Sequence, residues 1–190
     1  MSTINLSKGQ KVDLTKTNPG VSKYFVGLGW NPNANVGDQF DADVSAFILG
    51  EDEKLLSEQH FVFYNNLKSP GESVVHTGDN RTGEGEGDDE KLLVDFSRIE
   101  STARKVVFVV TIHEAQQRNQ NFGQISGAFI RVGNADNNEE ILKYDLNEDY
   151  SIETAVTFAE LYLKDGEWKF NAVGAGKQGG LQEYLNLYQK

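Results

Sequence analysis

A period of two constrains this chain more than any other feature. Residues 24–30 (YFVGLGW), 43–49 (DVSAFIL), 60–65 (HFVFYN) and 105–112 (KVVFVVTI) alternate or run apolar and are rich in Val, Phe, Tyr and Ile. So are 125–132 (ISGAFIRV), 139–145 (EEILKYD), 155–163 (AVTFAELYL) and 167–173 (EWKFNAV). β-branched and aromatic residues suit a pleated, half-buried surface, so these segments are predicted strands. Lys164-Asp165-Gly166-Glu167 places an Asp-Gly pair between two of them, a strong hairpin signal. Gly133–Asn138 is a second polar turn.

Helical signal is sparse. Glu114–Gln120 suits a short surface helix. Leu181–Tyr188 suits a C-terminal amphipathic helix, with Leu181, Tyr184, Leu185 and Tyr188 on one face. Many strands, few helices and short turns predict a mainly β fold, a sandwich of two packed sheets. With 190 residues, no internal repeat and no dividing linker, residues 1–190 are expected to form a single domain. Trp30 and Trp168 lie in apolar strand patterns and are expected in the core.

Charge narrows the function. Eighteen basic against 29 acidic residues leave a net charge of −11. That excludes a phosphate-backbone binder, so no nucleic-acid partner is expected. It also opposes docking on an anionic membrane unless a divalent cation bridges the two. There are no cysteines, which removes disulfides, thiolate metal sites and a Cys nucleophile. Residues 1–20 carry no apolar leader-like run, and nothing approaches the roughly 20 apolar residues needed to span a bilayer. A cytoplasmic protein without a transmembrane segment is expected.

The acid is concentrated. Gly78–Glu90 (GDNRTGEGEGDDE) holds Asp79, Glu84, Glu86, Asp88, Asp89 and Glu90 against Arg81 alone. Its glycines let the backbone turn and aim carbonyls inward. Carboxylates with exposed carbonyls are the oxygen donors Ca²⁺ prefers, whereas Mg²⁺ demands a stricter octahedron. Composition alone leaves a solvated excursion open as well. The loop is not an EF-hand: with Asp79 and Glu90 at its ends, Arg81, Gly83 and Glu84 fall where ligands and the turn glycine belong. Asp41 and Asp43 form a D-x-D step at a strand start, with side chains expected on one side. Asn65 and Asn66 close another strand, and Asn31 and Asp38 lie in a neighbouring loop. Together they supply enough oxygens for two ions if the loops meet.

Catalytic signatures are absent. His60, His76 and His113 lack zinc spacing, and imidazole is a poor ligand for a hard cation. His76 is expected as a surface or strand-end residue, and Arg118 and Arg131 as surface charges. Gly174–Gly180 fails the phosphate-loop pattern, with Asn171 and Gln178 where Gly and Ser or Thr are needed, and is expected as a flexible turn.

The stretches VGLGW (26–30), FDADVSAFIL (40–49), FVFYNNLKSPGESVVHTGDNRTGEGEGDDE (61–90), VVFVVTIHEAQQRNQNFGQISGAFIR (106–131) and YDLNEDYSIETAVTFAELYLKDGEWKFNAVG (144–174) resemble the TerD family of tellurium-resistance and stress proteins. The resemblance implies a two-sheet sandwich that binds about two Ca²⁺ through acidic loops at one edge. It implies no catalysis, and action alongside other tellurite-resistance and stress proteins, including at the inner membrane surface. Carried over by motif, the implied ligands are Asp41, Asp43, Asn65, Asn66, Asp79, Asn80, Glu84, Asp88, Asp89 and Glu90. Gly78, Thr82 and Gly83 are implied backbone donors. Asn31 and Glu86 depart from the family pattern and stand outside this set. Two other functions compete: a divalent-metal-dependent hydrolase or phosphoryl-transfer component, and a Ca²⁺-dependent membrane adaptor.

Overall fold

The computed structural model describes residues 2–32, 41–78, 87–147 and 150–190. In chain order the strands are β1 (Ile4–Leu6), β2 (Lys11–Asp13), β3 (Lys23–Pro32), β4 (Ala42–Leu49), β5 (Phe61–Val62) and β6 (Val74–His76). They continue as β7 (Glu90–Asp95), β8 (Lys105–Ile112), β9 (Ile125–Asn134), β10 (Glu140–Asp145), β11 (Ala155–Lys164) and β12 (Glu167–Lys177). Helices are α1 (Leu14–Thr17), α2 (Ala115–Arg118) and α3 (Leu181–Tyr188).

The strands form two six-stranded sheets. Their orders are β1-β10-β9-β3-β7-β6 and β2-β12-β11-β8-β4-β5. Only the β1–β10 pairing is parallel among those described. The Asp165-Gly166 hairpin forms as its sequence requires: both residues have positive φ (55° and 77°), the backbone a type I′ turn needs.

The inner faces pack into one apolar core. Tyr24, Val26 and Leu28 of the first sheet meet Val44, Ile48, Phe108 and Phe170 of the second. Trp30 and Trp168 are buried in it. A smaller cluster lies on the outer face of the second sheet, where α3 covers Phe47, Leu49, Phe61, Val107 and Val109 with Tyr184. Leu181, Leu185 and Tyr188 pack against the same cluster, so the expected helix face is the one buried. β4 and β8 are therefore buried on both sides, which is why they read as continuous apolar runs rather than alternations.

Several local expectations are corrected. Only Phe61–Val62 of the 60–65 segment is strand. Phe63 and Asn66 exchange backbone hydrogen bonds, each 3.0 Å, which closes a tight turn through Tyr64 and Asn65. The long stretch after Asn65 holds a 3-10 turn (Pro70–Glu72) and β6, and Glu90 opens β7 rather than ending a loop. Gly174–Lys177 belong to β12, not to a flexible turn. Gly174 has φ +61°, and a Cβ there would strike the Tyr144 hydroxyl.

Candidate metal centre at one end of the sandwich

Strand pairing brings the starts of β4 and β7 to one end, where the Val44 N–H meets Glu90. Glu90 at the start of β7 pairs with Leu28 near the end of β3. Ala42 at the start of β4 pairs with Ile112 at the end of β8. Alternation along β7 then sends Asp88, Asp89 and Glu90 to three different surroundings.

Glu90 shares the inward row with Leu92 and Val94 and is buried. Its Oε2 accepts from the Val44 N–H at 2.6 Å, across the gap to the other sheet. That donor is available because β5 ends at Val62, opposite Ala46, and does not reach Val44. The same oxygen lies 3.4 Å from His76 Nε2, also buried. The Gly78 N–H donates to His76 Nδ1 at 3.1 Å, which assigns the ring proton to Nε2 and makes His76 a donor to Glu90. His76 is thus a strand-end residue, as expected, but an interior one.

Asp89 extends the β3–β7 ladder. Its N–H donates to the Leu28 carbonyl at 2.8 Å, and its Oδ2 accepts from the Trp30 N–H at 2.8 Å. Burial pushes its carboxyl above the ordinary range. The Trp30 N–H holds it down, and the neighbouring Asp88 charge pushes it up again.

Asp88 lies on the outer face of the first sheet, over Gly27, where a Cβ would run into its carboxylate. Arg131 grips it with both prongs, Nε to Oδ1 at 2.7 Å and Nη2 to Oδ2 at 2.8 Å. Nη1 of the same guanidinium reaches Glu140 at 3.3 Å. The Asp88 hydrogen bond outweighs partial burial and raises the Arg131 pKa further. Gly29 plays a parallel role to Gly27: a Cβ there would stand 2.5 Å from the Phe129 ring.

Other predicted residues lie on separate elements. Asp41 accepts the His113 N–H through its backbone carbonyl at 2.8 Å. Asp43 sits on β4 opposite Thr111, is buried, and lines a groove of about 420 Å³ with Tyr64, Thr111, His113 and Glu183. The Asn66 amide donates to the carbonyls of Phe61 (2.7 Å) and Gln59 (3.1 Å) and so braces its own turn. Asn65 is exposed at the turn tip. Gly78 has φ +140°. Asp79, Asn80, Thr82, Gly83 and Glu84 lie outside the described residues. Among those described, no three His, Asp or Glu side chains form a group that could hold an ion.

Sequence reasoning missed Arg131 and Gly27. The signal was present in VGLGW, since two glycines at strand spacing on one face mark a place where something approaches closely. What approaches Gly27 is the carboxylate that Arg131 holds.

Comparison with known proteins completes the picture. The TerD domain profile matches residues 1–188. General stress protein 16U of Bacillus subtilis is 56% identical over 187 residues, covering 98% of this chain and 97% of the relative. Tellurium resistance protein TerD of Serratia marcescens is 54% identical over 186 residues, covering 98% and 97%. The crystal structure of a Streptomyces coelicolor homologue of telluride resistance protein superposes with a TM-score of 0.72 over 87% of this chain and 96% of that one, at 21% identity, a likeness of fold. With nearly its whole length matched by the profile and by relatives of more than half identity, the chain belongs to the TerD domain family.

Proposed function

We propose that this protein is a non-catalytic calcium-binding component of the stress and tellurium-resistance response. Its acidic end binds about two Ca²⁺ and then presents an interaction surface to other tellurite-resistance and stress proteins in the cytoplasm, including at the inner face of the membrane. The names of its relatives support the response; the chemistry of one end of the sandwich supports the ion. The candidate donors there are carboxylate, amide and carbonyl oxygens, the set a hard cation takes. Asp41, Asp43, Asn65, Asn66, Asp79, Asn80, Glu84, Asp88, Asp89 and Glu90 would hold the ions through side chains, and Gly78, Thr82 and Gly83 through carbonyls. Bound calcium supplies charge neutralisation and fixes loop geometry.

The carrying observation is Asp89. Its carboxyl is raised by burial and by the adjacent Asp88 charge, with a backbone N–H only partly opposing. A group whose folded pKa is raised favours folding fully below its unfolded pKa, and that contribution is lost as pH rises through the folded pKa. The charged form of Asp89 is therefore the disfavoured one in the folded chain, and a cation beside it would favour that form.

Calorimetric titration of Ca²⁺ into chelator-stripped protein, with Mg²⁺ as control, tests the reading. Free ion at 100 times its dissociation constant is expected to add about 2.7 kcal/mol per site. That corresponds to roughly 5–11 °C in Tm for a chain of this size. Asp89→Asn is expected to melt at or above the wild type in chelator and below it in calcium. Equal melting of the wild type in chelator and millimolar calcium refutes the proposal.

A further inference from the structure

The outer face of the first sheet carries a basic row inside a strongly acidic protein. Register places Lys91 opposite Gly27, Gly27 opposite Arg131, and Arg131 opposite Lys143, across four adjacent strands. Their neighbours Val26, Leu92, Ile130 and Leu142 point into the core, so this row faces outward. Lys91 and Arg131 converge on one ring: Lys91 Nζ is 4.5 Å and Arg131 Cζ 4.9 Å from the Phe25 centroid. Lys143 Nζ lies 4.8 Å from the Phe129 centroid and 3.1 Å from Asp145. Among the described residues Lys91 makes no ion pair.

Gly27 leaves a hollow in the middle of the row, and the Asp88 carboxylate fills it. The two parallel bonds from Nε and Nη2 are the geometry by which arginine recognises a carboxylate or phosphate edge. Glu140 takes the third nitrogen, Nη1, and leaves that edge to Asp88. The geometry points to an oxyanion receptor, formed by the Arg131 fork with Lys91 over Gly27 and plugged by the chain's own Asp88. Its ligand is a phosphate-type oxyanion that presents two coplanar oxygens. An intramolecular plug competes at a high effective concentration, so the wild type holds the receptor closed against dilute anions.

Opening is the step that rests on the calcium reading. Asp88 is one of the proposed calcium ligands, and turning its carboxylate towards an ion would draw its oxygens out of the Arg131 fork. Calcium would then free the fork and expose positive charge on a surface that is otherwise closed.

The receptor is tested without any metal. Inorganic phosphate is titrated into Asp88→Ala in chelator and followed by calorimetry, with circular dichroism confirming the fold. Phosphate is expected to bind at least about tenfold tighter than to the wild type, by loss of the internal competitor. Adding Arg131→Met is expected to abolish that gain. Asp88→Asn keeps the plug's shape without its charge and gives the same answer if Asp88→Ala does not fold. Sedimentation with phosphatidic acid vesicles, against phosphatidylcholine alone, separates a lipid headgroup from a free anion as the source. A folded Asp88 variant that binds neither phosphate nor those vesicles overturns the proposal, as does binding that survives Arg131→Met. The calcium step has its own readout, the ¹⁵N-resolved Arg131 Nε–H resonance. Release from Asp88 is expected to move it upfield in wild-type protein on adding calcium. An unmoved resonance in protein that calcium does stabilise overturns the opening step and leaves the calcium reading standing.

Discussion

Removing Glu90 should uncouple the two sheets at the acidic end. One carboxylate oxygen there takes the Val44 N–H at 2.6 Å and faces His76 Nε2 at 3.4 Å, with both side chains 1% exposed. Glu90→Leu keeps most of the volume and leaves these buried donors without that acceptor. An unsatisfied buried donor costs about 1–3 kcal/mol, so loss of the Val44 acceptor sets a scale of about 1–3 kcal/mol, to which the longer His76 contact adds less. Relief from burying a carboxylate beside two neutral donors offsets part of that loss, which places it towards the lower half of the range. Glu90→Gln retains an acceptor and loses only the charge assistance, about 1 kcal/mol. Thermal melts in chelator read the difference directly: about 2–4 °C per kcal/mol for a chain of this length. His76→Leu in the Glu90→Leu background should cost less than the two single losses added, since the two side chains share one contact. Wild-type stability in Glu90→Leu, or strict additivity with His76→Leu, would refute the inter-sheet tie.

Burial pushes the Tyr24 phenol up to about 12 from an ordinary 10.0. A raised folded pKa gives stability that is complete below the unfolded value and lost as pH climbs to the folded one, so stability should fall between about pH 10 and 12. A two-unit shift is worth on the order of 2–3 kcal/mol, and Tyr24→Phe should flatten that part of the alkaline denaturation curve. The Tyr24 hydroxyl has no hydrogen-bond partner among the described residues, so the same variant should match or exceed the wild type at neutral pH. Tyr184 is fully buried between α3 and the second sheet, and its oxygen accepts from Thr157 at 3.1 Å. Tyr184→Ala should cost about 3–5 kcal/mol in urea unfolding; a loss below about 1 kcal/mol would mean α3 is not integral to the fold.

The sandwich was legible wherever one face of a strand met water and the other the core, or where a run was long enough to be buried on both. β8 and β11 show this, and α3 was legible from its apolar stripe. β7 was hidden by a buried acid: its inward row begins with Glu90, so the alternation Glu90, Leu92, Val94 reads at first as the tail of an acidic run. β6 and the two N-terminal strands are three residues each, too short for a period to declare itself. At the candidate site the acidic residues were plain, but their neighbours were not. Arg131 is 43 residues from Asp88 and Val44 is 46 from Glu90, and no local pattern encodes such a pairing.

What the fold adds is a division of labour among three adjacent carboxylates. Glu90 cannot leave its place without orphaning the Val44 N–H inside the protein, so it is the fixed member. Asp88 differs, because the Arg131 side chain that holds it is 27% exposed and can be rehydrated when the carboxylate departs. Asp89 lies between these cases, held by a backbone N–H yet raised by burial. A cation bound as proposed would therefore meet one anchor and two carboxylates able to change partner. The cheapest exchange is at Asp88, whose movement alone alters the charge of the opposite face of the sheet. Under the proposed calcium reading, binding at the end of the sandwich would be coupled to its flank through a single side chain, with no movement required of the core.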